Sequence, residues 1–221
     1  MDAGLFQVRS VRAVIEAHPL SLRRQLLDAM LALLNEDGAS WPTPPQVAQQ
    51  AGLSLRDVVL LCPGGRPDLL RLVAEAVTDQ VLDDIGADPA LADEAPRGRL
   101  FHVLLSRFDA YGPWKPAFRR LWGTRGDDPL AAVSIVPDIA QAMRWMTVAA
   151  DVAPPGPRSA VLAAVITGLW LKTLPDWFAD DSPDFSRVMA ALDRRLTKAE
   201  PWLIRAHLWP AASPSPAAGD A

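Results

Sequence analysis

The chain has one cysteine in 221 residues, Cys62, so it can neither close an internal disulfide nor hold a metal through a set of thiolates. Its three histidines, His18, His102 and His207, lie far apart, and none stands at a metal-ligand spacing. The glycines of "PGGRPD" lack the pattern of a phosphate-binding loop. No metal, no cofactor and no catalytic set of residues is expected, and the chain does not read as an enzyme. Basic charge is not in excess either. The net charge is −4 and the pI about 5.3, which gives no global attraction to nucleic acid. Between Arg71 and Arg97 there is no basic residue, while Glu75, Asp79, Asp83, Asp84, Asp88, Asp93 and Glu94 make an acidic run. The opening "MDAGLFQVRS" has an acid at position 2 and no long apolar run, unlike a secretory signal. The longest uncharged apolar stretch, Ser159 to Leu171, is too short to span a bilayer and ends at Lys172. A soluble, cytoplasmic protein is expected.

What is present is helical period almost everywhere. "SLRRQLLDAMLALLNEDG" places Leu22, Leu26, Met30, Leu33 and Leu34 on one face and stops at Gly38. "TPPQVAQQAG" predicts a short helix with Thr43 as its cap and Pro44 at its first position. Gly52 allows a tight turn, Ser54 caps a further helix of about Leu55 to Leu61, and "PGG" breaks it. A longer helix is predicted from about Pro67 to Ile85, followed by the linker "GADPALADEAP" and several more helical segments. Pro175 is expected to end or kink one of them, and Ser182 to cap the last. No strand signal of comparable length and no internal repeat is present. The fold class is therefore all-α. The expected division is an N-terminal arm and a small helical head over 1–66, a larger helical domain over 67–200 with a connecting helix at 67–85, and a short apolar segment with a disordered tail over 201–221.

Thr43, Val47, Ala48, Ala51, Gly52, Leu53 and Ser54 resemble the head pattern of the TetR family of transcriptional regulators. Each has a physical reason there: Ala48 is small where two helices cross, Gly52 makes the turn and Leu53 plugs the core. The resemblance implies a TetR-like fold, a homodimer, operator DNA as a partner and a small apolar ligand in the body. Thr43, Ser54 and Arg56 are the candidate DNA contacts, with Arg56 suited to a guanine edge. The places where the family usually carries a tyrosine, a phenylalanine and a lysine hold Val59, Cys62 and Gly65, which implies fewer phosphate contacts.

The C-terminal segment "WLKTLPDWFADDSPDFSRVMAALDRR" resembles the lipid-binding accessory protein of ubiquinone biosynthesis, itself TetR-like in fold. That resemblance implies an isoprenoid lipid as ligand and a protein that does not bind DNA, so two functions stay open. Trp114, Trp122, Met143, Met146 and Trp170 are the candidate lining of an apolar ligand pocket, with core filling as the alternative for each. The TetR resemblance implies helices over 160–178 and 184–200 as the dimer surface. In "PWLIRAHLWP", Trp202 and Trp209 are candidates for a weak peripheral membrane contact, although folding back onto the body is the first expectation.

Overall fold

A computed structural model describes residues 21–36, 41–86, 91, 93–123 and 136–209. Among these residues the regular structure is entirely helical, as the sequence predicts. The elements are α1 (residues 21–34), α2 (Pro44–Ala51), α3 (Leu55–Leu61), α4 (Arg66–Gly86), α5 (Pro96–Ala110), a 3-10 turn at Gly112–Trp114, α6 (Lys115–Gly123), α7 (Val136–Ala149), α8 (Arg158–Phe178) and α9 (Ser186–Arg205). They divide into two compact units. The first holds α1 to α3, α4 as far as Val73, and α6 from Pro116. The second holds α4 from Ala74, α5, the 3-10 turn, and α7 to α9.

In the first unit α1 buries Leu26, Ala29, Met30 and Leu34, the spacing of one helical face. Leu22 and Leu33, expected on that face, sit half-buried at its margins, and Ala29 takes a central place instead. The cap expected at Gly38 lies outside the described residues, as does His18. Val47, Ala48 and Val58 supply the short helices' share of the core, and Leu69, Leu72 and Val73 that of α4. The α6 segment closes this unit. Phe118 meets Trp41 with ring centroids 6.3 Å apart, and Arg120 donates to the carbonyl of Leu34 at the open end of α1. Carbonyls at a helix end have no intrahelical donor, so a guanidinium there satisfies one of them.

In the second unit α7 packs on α8, α8 on α9, and α5 on both α7 and α9. The core is built from Leu100, Val103, Leu104 and Phe108 of α5, Met143 and Met146 of α7, Leu162, Ile166, Trp170 and Trp177 of α8, and Val188, Leu192 and Leu196 of α9. Two prolines lie inside helices. Pro175 neither ends α8 nor breaks it, because Trp177 and Phe178 are buried and hold the last turn in register. Pro201 lies inside α9, which runs on to Arg205 with Leu203 fully buried. A lost backbone hydrogen bond is tolerated at both places because side-chain burial offsets it. With its charged ends included, α8 is long and apolar enough to cross a membrane, but half of its most apolar window is buried within the unit. Core helices of helical bodies commonly read this way.

The start of α9 is also shifted. Ser182 was expected as its cap, whereas the helix begins at Ser186 after Phe185, whose φ is 53°. Asp180 organises the connection instead. It is buried, and its carboxylate accepts from the Ser182 N–H at 3.1 Å, from the Ser182 hydroxyl, and from the Val188 N–H at 2.9 Å.

Candidate functional site

The helix-turn-helix is assembled from local capping chemistry. At the start of α2 the Thr43 N–H and hydroxyl both donate to Gln46 Oε1, at 2.9 and 2.7 Å. At its end Gly52 turns the chain with φ 67°, in the left-handed region. A Cβ added there meets nothing within 4 Å, so glycine is required by the backbone angle rather than by space. The Leu53 N–H then returns to the Ala48 carbonyl at 3.0 Å. Ser54 caps α3: its hydroxyl accepts from the Asp57 N–H at 3.2 Å and donates to Asp57 Oδ2 at 2.5 Å. Past α3, Gly65 has φ 68° and Asp68 accepts from the Gly64 N–H at 2.5 Å. The "PGG" break is therefore an ordered turn that leads into α4.

The structure separates the three candidate DNA contacts. Thr43 and Ser54 are exposed, with their hydroxyls engaged in the caps of α2 and α3. Arg56 is exposed on the outer side of α3. Val58 faces the core at 0% exposure, and Cys62 lies with it as a buried thiol outside any disulfide. The opposite face carries Leu55, Arg56, Val59 and Leu60, two i,i+4 pairs side by side. Leu55 and Val59 are 48% exposed and Leu60 is 69% exposed. One guanidinium among three outward-facing apolar side chains is an unusual surface for a seven-residue helix.

The body candidates fall in two places. Trp114, Met143, Met146 and Trp170 are buried in the second unit. Trp122 is half-buried and belongs to the first, so the five do not form one lining within a single unit. Periodicity alone could not assign Trp122, because its helix, α6, changes unit after its first residue. Trp145, another large apolar residue of the body, faces outward. Of the membrane candidates Trp202 is exposed, while Trp209 is buried along with Leu203 and Leu208. The segment after Pro201 therefore folds back onto the body.

Within the second unit the aromatic rings are continuous. Phe108 stacks on Trp170 at 5.4 Å and meets Trp177 at 5.7 Å, and Tyr111 meets Trp170 at 6.0 Å. Beside them lies a residue the sequence reading passed over, Arg107, buried on the apolar face of α5. Its signal was available: Leu100, Val103, Leu104, Arg107, Phe108 and Tyr111 follow one helical stripe, and a charged residue in such a stripe is an anomaly. Asp180 is the other buried charge. Burial works to raise its carboxyl, and hydrogen bonds from the Ser182 side chain and from the backbone of Val188, Ser182 and Arg187 outweigh that, holding it below the ordinary aspartate value of 3.8.

A capped helix-turn-helix followed by a larger helical unit places the protein in the all-helical helix-turn-helix class. No family model matches the chain, but curated proteins do. It is 31% identical over 163 residues to the HTH-type transcriptional regulator BetI of Burkholderia thailandensis, covering 68% of this chain and 80% of that protein. It is 29% identical to BetI of Paraburkholderia phymatum over the same number of residues and the same shares. Among solved structures, the TetR transcriptional regulator from Nitrosomonas europaea aligns with a TM-score of 0.63 at 18% identity, over 83% of this chain and 99% of that one. A TetR regulator from Rhodococcus sp. RHA1 aligns at 0.50 and 19% identity, over 80% and 95%. The solved structures agree on the fold, and the curated relatives carry the family. The chain belongs to the TetR family of transcriptional regulators, which are not enzymes. The resemblance of the C-terminal segment to the ubiquinone accessory protein is not shown by these relatives.

Proposed function

We propose that this protein is a one-component regulator that reads operator DNA with α3 and is controlled by a small, largely apolar molecule held in its second unit. We take 1–66 as the DNA-reading head and 67–200 as the ligand-binding and dimerisation domain, in a soluble protein of the cytoplasm. The observation that carries the reading is the outer face of α3. Arg56 is suited to a guanine O6/N7 edge, and Leu55, Val59 and Leu60 to thymine methyl groups, the apolar feature of the major groove. Exposed apolar side chains at that one place fit a helix that is covered in use. Relatives that are named transcriptional regulators support the same reading.

A symmetric dimer presents two such helices to a palindromic site. The outward side of α8 suits the pairing: Val161 and Ala164 are exposed, and Gly168 has open space where a Cβ would stand. Small groups let a second copy's helix approach closely. Helix α4 contributes Leu69, Leu72 and Val73 to the first unit and Val77, Thr78 and Val81 to the second. A ligand that changes the body's grip on α4 has a route to the head, provided the dimer has two states that the ligand binds unequally.

The test is binding of the purified full chain to its own upstream DNA at several salt concentrations. The expected result is saturable binding that weakens steeply with salt and falls by roughly tenfold to a hundredfold in Arg56→Ala, the weight of one bidentate base contact. Affinity no greater than for random DNA, unchanged by the substitution, would overturn the reading.

A further inference from the structure

Arg107 is 1% exposed, and a guanidinium does not shed its proton in a protein. Its Nη1 donates to Thr78 Oγ1 at 2.9 Å and its Nη2 to the Tyr111 hydroxyl at 3.2 Å. The group also lies over the Tyr111 ring, 5.2 Å from the centroid. All of these partners are neutral. No carboxylate pairs with it among the described residues, and Nε is buried with no partner. The other buried or half-buried arginines of the unit are treated differently. Arg195 meets Asp176 at 2.7 Å, Arg97 meets Asp193 at 3.0 Å, and Arg99 donates to the carbonyls of Glu94, Ala150 and Asp151. Each of these arginines, which water can still reach, thus has a carboxylate within ion-pair distance, Arg99 through Asp151 at 3.5 Å, and the one that water cannot reach has only hydroxyl oxygens. A buried charge without an opposite charge is among the most costly arrangements a core can hold.

A second unpartnered donor lies close by. The Tyr111 ring that Arg107 covers also meets Trp170, and Trp170 Nε1 is buried without an acceptor. Trp170 in turn stacks on Phe108. The cluster therefore has donors in excess, a full positive charge, and aromatic carbon around them. It lacks one thing, a negatively charged acceptor. We infer that the body's ligand is an anion of the apolar or aromatic carboxylate class, its carboxylate held by Arg107 and its apolar part lying against Trp170 and Phe108. This rests on the reading that the second unit holds a ligand and adds the ligand's charge. The same arrangement repels a cation.

The full-length protein is titrated with three probes of one shape and different charge: 4-phenylbutyrate, its amide 4-phenylbutyramide, and 3-phenylpropyl-trimethylammonium. Melting temperature and tryptophan fluorescence are followed in wild type, Arg107→Met and Arg107→Lys. The carboxylate raises the wild-type melting temperature and changes its fluorescence, and the amide and the ammonium do neither. Arg107→Met loses at least about tenfold in carboxylate affinity, the weight of a charge-assisted bond, yet melts no lower than wild type without ligand, because it removes an uncompensated charge. Arg107→Lys keeps part of the response. A response to the amide or the ammonium instead of the carboxylate overturns the anion and leaves the ligand-bearing body standing. No response to any probe overturns both. If Arg107→Met melts well below wild type while keeping the carboxylate response, the guanidinium is a structural member of the core and the inference fails.

Discussion

In the first unit, three of the seven residues of α3 are large apolar side chains turned to solvent. In the second, the most buried ionisable group among the described residues is an arginine with no acid beside it. Folding stability alone would choose the reverse in both places, placing carbon inside and charge outside. Where a chain breaks these rules in a core that otherwise keeps them, the cost falls on folding and the gain lies elsewhere. The two anomalies have complementary chemistry. An apolar face with one guanidinium suits a major-groove edge, and a buried guanidinium in an aromatic cluster suits an apolar anion.

The largest effect that tests this contrast is Phe108→Ala. Phe108 is fully buried against Trp170 and Trp177, and its truncation should cost about 3–5 kcal/mol in a denaturant titration. A loss under about 1 kcal/mol would mean that the ring cluster is loosely packed and that its other members, Arg107 included, need no special account.

Next is Asp180→Asn, expected to cost about 1–3 kcal/mol at neutral pH, because an amide cannot accept all three bonds that the carboxylate does. The folded carboxyl titrates below 3.8, so its contribution is complete above the unfolded value. It is lost as pH falls through 3.8 towards the folded value. Melts at successive pH values should therefore show the gap between mutant and wild type narrowing on acidification. A gap constant down to the acid limit would remove the carboxylate from the account.

In the head, Gly52→Ala should cost about 1–2 kcal/mol, the penalty of a left-handed angle for a residue with a Cβ, since no atom obstructs the added group. Smallest in stability is Leu60→Ala, expected to change the melt by less than about 0.5 kcal/mol because the side chain is mostly in water. The same substitution should weaken binding to a thymine-bearing operator and reduce the protein's preference for thymine over deoxyuridine at the contacted step, which differs only by the methyl group. Equal binding to both bases by the wild type would break the proposed use of the apolar face.

The fold was legible because its determinants are local. Thr43, Gly52 and Ser54 act within a few residues of themselves, so their spacing in the sequence is nearly their geometry. The limits of α3 follow from Ser54 and the "PGG" turn. The errors came where distant packing decides. Pro175 read as the end or a kink of its helix and the last long helix as ending at residue 200, yet Trp177, Phe178 and Leu203 hold these helices together through contacts no local rule sees. Ser182 read as a cap, while the buried Asp180 took that work from eight residues before Val188. Trp122 read as part of the body because its helix belongs to two units. Arg107 was visible as a charge within an apolar stripe, but only the structure shows that no acid among the described residues answers it.

Cys62 turns the division into two units into something that can be timed. The thiol is buried at the end of α3, and it is the chain's single cysteine. A thiol reagent can reach it only when the head opens, so the labelling rate follows the opening of that unit and is blind to the body. The chain thus carries its own clock for one half of the molecule. Slower labelling in the presence of operator would register the head being held shut, without a dye, a tag or a second mutation.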